Sequence, residues 1–190
     1  KRAGVHRKCL ADYIAPKESG VMDYIGLFAV TGGLGIEKHS ERFQAEGDDY
    51  SDIMLKALAD RFAEGFAECL HARIRTDLWG YVSEEDLDNE ALIDERYQGI
   101  RPAPGYPSCP EHVVKADMNR VMQWEDINMQ LTESLAMYPA SSVSGFYFSH
   151  PDSQYFNVGN IGEDQLQDYI DRSGRDEDDV RRSLASVLRG

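Results

Sequence analysis

The stretch Asp48–Asp77, DDYSDIMLKALADRFAEGFAECLHARIRTD, carries the longest helical pattern in this sequence. Asp48 or Asp49 can cap the first turn, because a side-chain oxygen at that position accepts hydrogen bonds from unpaired main-chain N–H groups. Large apolar side chains then recur at steps of three and four, which makes one apolar stripe along the helix. The stripe consists of Leu55, Leu58, Phe62, Phe66 and Leu70. A helix over about 49–77 would be roughly 40 Å long, and we expect it to be the scaffold of the fold.

A short strand and a short helix precede this scaffold. Ile25–Val30 is an apolar run of strand length, and Glu37–Ala45 is a predicted helix that ends at Gly47. The glycines of Thr31–Gly35 between them suggest a nucleotide-binding loop. Lys38 stands where the Gly-x-Gly-x-x-Gly fingerprint needs its third glycine. We therefore interpret the loop as a strand-to-helix turn and exclude a Rossmann domain.

The second half of the chain mixes helical patterns with apolar runs of strand length. The predicted helices are Asn89–Arg96, Glu111–Gln123, Glu163–Arg172 and Asp176–Leu188. The predicted strands are Leu131–Met137, Val143–Phe148 and Tyr155–Ile161. No internal repeat or boundary divides the chain. We therefore predict a single α+β domain over residues 1–190, with a twisted, mostly antiparallel sheet and surrounding helices.

Composition excludes several classes of function. The net charge of −14 argues against nucleic acid and against an anionic membrane surface, since phosphate binding needs clustered Lys and Arg. No apolar run approaches the thickness of a bilayer, and no signal peptide is visible. Cys9, Cys69 and Cys109 are odd in number and typical of reduced thiols in a cytoplasmic protein. Cys109 and His112 would make only half of a metal site, so we expect no metal.

The loop Arg101–His112, RPAPGYPSCPEH, is rich in proline and carries several groups that suit a ligand. Its prolines restrict the backbone before any ligand arrives, which lowers the entropy lost on binding. Arg101 offers a planar fork for a carboxylate, and Tyr106 offers an aromatic face and a hydroxyl group. Gly105 lets another group approach the main chain. The residues alone leave two interpretations open, a ligand-binding loop and a rigid connector.

Several blocks of this sequence together resemble one known family. Arg101–Pro107 followed by Cys109–His112 looks like the S-adenosylmethionine-binding signature of the activation domain of cobalamin-dependent methionine synthase. Further blocks resemble the same family in the same order. They are Asp23–Val30, Asp48–Tyr50, Lys56–Arg61, Leu131–Ser134, Val143–Pro151 and Tyr155–Phe156.

The resemblance implies a function in enzyme repair. In that family the domain binds S-adenosylmethionine and supports the reductive methylation of cob(II)alamin to methylcobalamin. The cobalamin is bound by another domain, and flavodoxin or a related reductase supplies the electron. The chain would thus be part of a 5-methyltetrahydrofolate–homocysteine methyltransferase, and it would not turn over alone. No catalytic base or nucleophile of its own is implied.

The resemblance also implies a set of site residues. Its S-adenosylmethionine contacts fall on Arg101, Ala103, Pro104, Gly105, Tyr106, Tyr155 and Phe156. Two acids, Glu64 and Glu95, match acids that in the family lie near the methionyl end of the ligand or rearrange when the domain docks. The residues alone also allow a structural interpretation of both acids. Glu64 is typical of a solvated helix face, and Glu95 could simply cap the charge of its helix.

The family domain is longer at its N-terminus, so the resemblance implies that this chain is a C-terminal portion of it. Lys1 in place of a methionine agrees with a chain cut from something longer. A second hypothesis follows from this difference. The chain would then be a non-catalytic docking module for the cobalamin domain or the reductase and would not bind the ligand itself.

Overall fold

The computed structural model describes residues 8–189, and the long helix is its central element. Helix α2 spans Asp49–Arg73 and continues through one π-helical turn, Ile74–Leu78. The Asp48 carboxylate accepts a hydrogen bond from the main-chain N–H of Ser51 at 3.0 Å, which satisfies one of the free donors of the first turn. The prediction of a long helix over about 49–77 is confirmed.

An antiparallel pair of strands from distant parts of the chain packs on α2. Strand β1, Gly26–Thr31, pairs with strand β4, Ser142–Tyr147. A single bridge between Ile100 and Phe148 continues the pairing beyond β4. The sheet is antiparallel, as predicted, and smaller than the sequence suggested, because two of the three predicted C-terminal strands do not form as such.

The predicted strand Leu131–Met137 is divided by a turn. Strands β2, Gln130–Leu131, and β3, Met137–Tyr138, form a separate antiparallel ladder. The main-chain N–H of Ala136 donates to the Thr132 hydroxyl at 3.1 Å, so a local side-chain hydrogen bond favours the turn over an extended strand. The predicted strand Tyr155–Ile161 is likewise wrong over 155–160, where the chain has no ladder partner.

The remaining helices surround these strands. They are α1 Glu37–Glu46, α3 Asn89–Ile93, α4 Val114–Met122, α5 Glu163–Ser173 and α6 Glu177–Ser183. Three short 3-10 turns lie at Leu10–Tyr13, Lys17–Ser19 and Trp124–Ile127. This mixture of helices with small antiparallel ladders confirms the α+β class. No helix in residues 8–189 is both long and apolar enough to cross a membrane.

Strand β1 is buried on both faces because its side chains alternate in direction. Phe28 and Val30 lie in a core cluster with Ala67 of α2 and Tyr147 of β4. Leu27 and Ala29 pack against a second cluster on the opposite face, which is made of Met118, Trp124 and Met129. The site described below lies where this buried strand pair meets α2 and the proline-rich loop.

Most of the apolar stripe predicted along α2 does not face the core, although its last member, Leu70, packs against the cluster of Phe28 and Val30. The buried face of the helix is an alanine seam, Ala59, Ala63 and Ala67, with exposed fractions of 5%, 1% and 0%. Most of the predicted stripe remains in solvent. Leu58, Phe62 and Phe66, here called the phenylalanine stripe, are 52%, 74% and 53% exposed, while Leu55 and Leu70 are half-buried.

The close approach of the strand pair to α2 explains this difference. A Cβ atom added at Gly32, just after β1, would lie 2.5 Å from the carbonyl oxygen of Ala59. Main chain therefore meets main chain at this crossing, and only the smallest side chains fit between the two elements. Residue size, rather than hydrophobicity, decides which face of α2 is buried.

Candidate functional site

A pocket of about 440 Å³ lies between the proline-rich loop, the strand pair and α2. This volume is within the range of small-molecule sites, which are mostly apolar with a few polar groups. Its walls are Phe28, Glu64, Arg101, Pro102, Ala103, Tyr106, Pro107, Ser108, Val143, Tyr155, Phe156 and Asn157. Apolar and aromatic side chains dominate, and Glu64 and Arg101 are the charged groups among them.

The proline-rich loop folds back on itself as a tight hairpin. The N–H of Gly105 donates to the carbonyl oxygen of Cys109 at 2.7 Å, and the N–H of Cys109 donates to that of Tyr106 at 2.9 Å. Gly105 has a φ of +96°, and a Cβ there would lie 2.2 Å from the ring of His112. The positive φ therefore favours glycine at this position, whereas the exposed ring of His112 could move to make room for a Cβ atom.

Arg101 has its guanidinium group engaged by three side chains. Its NH2 atom lies 2.7 Å from Oε2 of Glu68. Its NH1 atom lies 3.3 Å from Nδ1 of His71 and 3.4 Å from the hydroxyl oxygen of Tyr97. The pairing partners come from α2 and from the segment just before the loop, so the arginine side chain links these elements at the edge of the pocket.

His71 is completely buried at the end of the alanine seam. Its ring stacks on Tyr147, with centroids 5.2 Å apart and planes 20° apart, and meets Tyr97 edge-on at 4.9 Å. Burial lowers the pKa of His71 to about 3, and the positive charges of Arg75 and Arg101 act in the same direction. The imidazole is therefore neutral at physiological pH.

Tyr155 joins the segment after β4 to the loop. Its hydroxyl oxygen accepts a hydrogen bond from the main-chain N–H of Arg101 at 3.0 Å. Two residues beyond the aromatic pair, the N–H of Val158 donates to the carbonyl oxygen of Pro107 at 3.0 Å. The segment that the sequence predicted as a strand thus packs against the loop and closes one side of the pocket.

Most of the residues predicted for the site converge on this pocket. Arg101, Ala103, Tyr106, Tyr155, Phe156 and Glu64 line it. Pro104 is buried within the loop and Gly105 forms its turn, so these two residues shape the pocket from behind. Glu95 does not line the pocket. Burial raises the pKa of its carboxyl group, and the positive charge of the nearby Arg101 opposes that rise.

Sequence reasoning missed the residues that lie behind the pocket. Glu68, His71 and Tyr97 contact Arg101. The further wall residues are Phe28, Pro102, Pro107, Ser108, Val143 and Asn157. One signal was available, because Glu64, Glu68 and His71 follow at steps of four and three on α2 and therefore share a helix face. The wall residues carry no comparable local signal.

The described part of the chain shows no cluster of three or more His, Cys, Asp or Glu side chains that could hold a metal ion. Cys9, Cys69 and Cys109 are free thiols. The groups that line the pocket are mainly aromatic and apolar side chains with two charged groups, and these suit binding and orientation of a ligand.

Comparisons with known proteins agree with this geometry. Residues 1–174 match the family model described as "Vitamin B12 dependent methionine synthase, activation domain". A solved structure titled "Crystal Structure of the MetH Reactivation Domain bound to AdoHcy" is 54% identical to this chain, with a TM-score of 0.94. The match covers 99% of this chain and 58% of that one. The chain belongs to the activation-domain family of vitamin B12-dependent methionine synthases.

Proposed function

We propose that this chain binds S-adenosylmethionine in the pocket beside Arg101 and takes part in the reactivation of a cobalamin-dependent methionine synthase. The reaction it would support is the reductive methylation of cob(II)alamin to methylcobalamin. The chain would belong to a 5-methyltetrahydrofolate–homocysteine methyltransferase and would not turn over alone.

One observation carries the proposal. The loop Arg101–Tyr106 and the aromatic pair Tyr155–Phe156, about fifty residues apart in sequence, wall a single pocket of about 440 Å³. The reactivation domain that is 54% identical to this chain holds S-adenosylhomocysteine. That molecule has the same adenosine and amino-acid parts as S-adenosylmethionine and lacks only the methyl group and the sulfonium charge.

The residues around the pocket suit such a ligand. Phe28, Tyr106, Tyr155 and Phe156 offer aromatic faces that can stack on adenine or attract a sulfonium cation. Glu64 on one wall offers a negative charge to the α-amino group or the sulfonium. Arg101 and the main chain of Ala103 are placed for the polar end of the ligand.

The chain's own task would be to hold the methyl donor in a fixed orientation. The rigid loop and the packed strand pair restrict the ligand, and such positioning lowers the barrier of the transfer step by proximity. Cobalamin, carried by a different domain of the enzyme, would supply the methyl acceptor and its redox chemistry. No general base or nucleophile is needed from this chain.

The partners follow from the same proposal. We propose the cobalamin-binding domain as the partner that meets the pocket, and flavodoxin or a related reductase as the electron donor. A cytoplasmic location agrees with three free thiols, because disulfide bonds are rare in that compartment.

Calorimetric titration with S-adenosylmethionine tests the proposal, with S-adenosylhomocysteine as the comparison. We expect saturable binding by the 190-residue chain. Arg101→Ala should weaken that binding by roughly 1–3 kcal/mol, as for the loss of a charge-assisted hydrogen bond.

Arg120→Ala is the matched control, because Arg120 is an exposed arginine on α4 whose ion pair with Asp117 lies on the surface. It removes the same charge and should leave the dissociation constant unchanged. Absence of binding by the folded chain, or equal affinity of the Arg101 variant and the wild type, would contradict the proposal.

The rival function is that of a docking module, and the exposed phenylalanine stripe favours it. Exposed apolar surface of this kind commonly marks a contact with another protein unit. We also propose that residues 1–190 are the C-terminal portion of a larger activation domain. Two observations support this: the exposed stripe, and the fact that the chain spans 58% of its structural relative. Titrating a longer chain and this one with S-adenosylmethionine distinguishes a docking module from an incomplete activation domain, because a docking module would bind no ligand at either length.

A further inference from the structure

The guanidinium group of Arg101 is largely committed to protein partners. The Arg101 side chain is 18% exposed, and the Glu68 carboxylate that pairs with it at 2.7 Å is 29% exposed. In such a partly buried place an ion pair is screened less by solvent than one on the surface. The pair therefore fixes the direction of the arginine side chain at the rim of the pocket.

The partners of Arg101 on α2 are themselves rigidly placed. Glu68 and His71 lie three residues apart, so they project from the same face of the helix. The ring of His71 is clamped between Tyr147 and Tyr97 by the contacts described above. Glu68 follows directly after Ala67, which is fully buried in the alanine seam.

The chemistry of the contact settles the tautomer of His71. A guanidinium group only donates hydrogen bonds, so Nδ1 of His71 must accept from NH1 of Arg101. The ring hydrogen then resides on Nε2. His71 acts as an uncharged acceptor behind the arginine, while Glu68 supplies the opposite charge beside it.

We propose that Glu68 and His71 are positioning residues, which hold the Arg101 guanidinium in its orientation toward the pocket and do not contact the ligand. Neither lines the pocket, whereas Glu64, one turn earlier on the same helix, does. The part of this proposal that concerns ligand affinity rests on the proposed binding of S-adenosylmethionine. The part that concerns the orientation of Arg101 does not.

The orientation is tested first, without ligand, by ¹⁵N relaxation of the Arg101 Nε–Hε group in the full chain. We expect a rigid side chain in the wild type and a mobile one in Glu68→Gln, which keeps the shape and removes the charge. Asp60→Asn is the matched control, because Asp60 is an exposed acid on the same helix. His71→Asn keeps an acceptor near Nδ1 and should retain the order, whereas His71→Leu should lose it.

Affinity is tested next by a double-mutant cycle. Glu68→Gln should weaken S-adenosylmethionine binding roughly tenfold, the usual scale of one charge-assisted hydrogen bond. In the Arg101→Ala background the same substitution should change the dissociation constant by less than about twofold, because Glu68 acts only through the arginine. A residue that supports only the general fold would weaken both backgrounds alike.

Each outcome decides the proposal. Equal weakening in both backgrounds would mean that Glu68 acts independently of Arg101, either on the ligand or through the general fold, and would overturn the positioning role. An Arg101 side chain that is equally rigid in wild type and Glu68→Gln would overturn it as well. Failure of the wild type to bind would refute the proposed function alone, since the relaxation measurement still decides whether Glu68 and His71 orient Arg101.

Discussion

Two faces of helix α2 differ in a way that hydrophobicity alone does not explain. The alanine seam is almost completely buried, while the phenylalanine stripe beside it is mostly exposed. By side-chain transfer free energy the stripe should be buried first, because phenylalanine and leucine gain more than alanine from leaving water. The seam is buried because β1 and β4 come close to the helix, and small side chains permit that approach.

The difference also separates two roles along one helix. The seam leads directly into Glu68 and His71, so close packing of the scaffold determines where Arg101 is held. The stripe, by contrast, leaves most of its surface in solvent. One helix thus builds the site with its small residues and leaves its larger apolar residues uncovered.

The largest expected effect comes from enlarging the seam. Ala63→Leu adds bulk where the helix and the end of β1 are in contact, as shown by the 3.1 Å between Ala63 N and an added Cβ at Gly32. Overpacking of this kind destabilises a protein by roughly 1–3 kcal/mol, and we expect the upper end of that range. Urea denaturation measures it.

Ala57→Leu is the matched control, since Ala57 is exposed on the same helix. The identical substitution there should change the free energy of unfolding by no more than about 0.5 kcal/mol. Similar losses at both positions would mean that the seam is not the tightly packed face.

A smaller loss of stability is expected on acidification, because of His71 at the end of the alanine seam. The pKa of His71 is about 3 in the folded chain and 6.5 as the ordinary value. Below pH 6.5 the unfolded chain takes up a proton that the folded chain does not, so stability is complete above that pH and falls as the solution becomes more acidic. Between pH 7 and pH 5 the loss should be roughly 1–2 kcal/mol.

Urea denaturation at several pH values measures this slope. His71→Asn should remove most of the slope whatever it does to absolute stability, and His112, whose pKa is also lowered by burial, accounts for the remainder. Asp52 does not interfere, because its Lys56 partner lowers the pKa of that carboxyl to about 2 and the loss of its contribution begins only below pH 4. A wild type with constant stability from pH 7 to pH 5 would contradict the buried, neutral state of His71.

The local features of the fold were predictable from sequence. The Asp48 cap, the Gly47 terminus of α1 and the span of α2 depend on residues within a few positions of each other. The buried strand β1 was also visible as an apolar run. These signals suffice because main-chain hydrogen bonds and caps are satisfied within a short stretch of chain.

Features that depend on distant partners were not predictable in the same way. Residues 155–160 begin with an aromatic pair that is typical of a strand, and they are held instead by contacts with the loop, such as Val158 to Pro107. The buried face of α2 depends on how closely β1 approaches, which no helical periodicity records. A strand needs a neighbour in space, and the sequence names neither the neighbour nor its distance.

The candidate site likewise has a part that the sequence predicts and a part that it does not. Its loop and aromatic pair were predicted because they resemble a family motif, and the structure brings them to one pocket. Glu68, His71 and Tyr97 were missed because they act on Arg101 from behind. Glu68 and His71 share a helix face, and Tyr97 lies just before the loop. These positions indicate a role only once the structure shows that Arg101 contacts all three side chains.

The smallest effect on stability is expected for the phenylalanine stripe. Phe62→Ser combined with Phe66→Ser removes two large rings that are 74% and 53% exposed in the folded chain, so that only a part of each ring is buried on folding. The free energy of unfolding should therefore change by less than about 1 kcal/mol, while binding of a hydrophobic dye should fall because its surface is lost. Sedimentation of both proteins shows whether self-association contributes. A much larger loss of stability would mean that the rings are packed in solution, and a loss that depends on protein concentration would identify a second copy of the chain as what covers them.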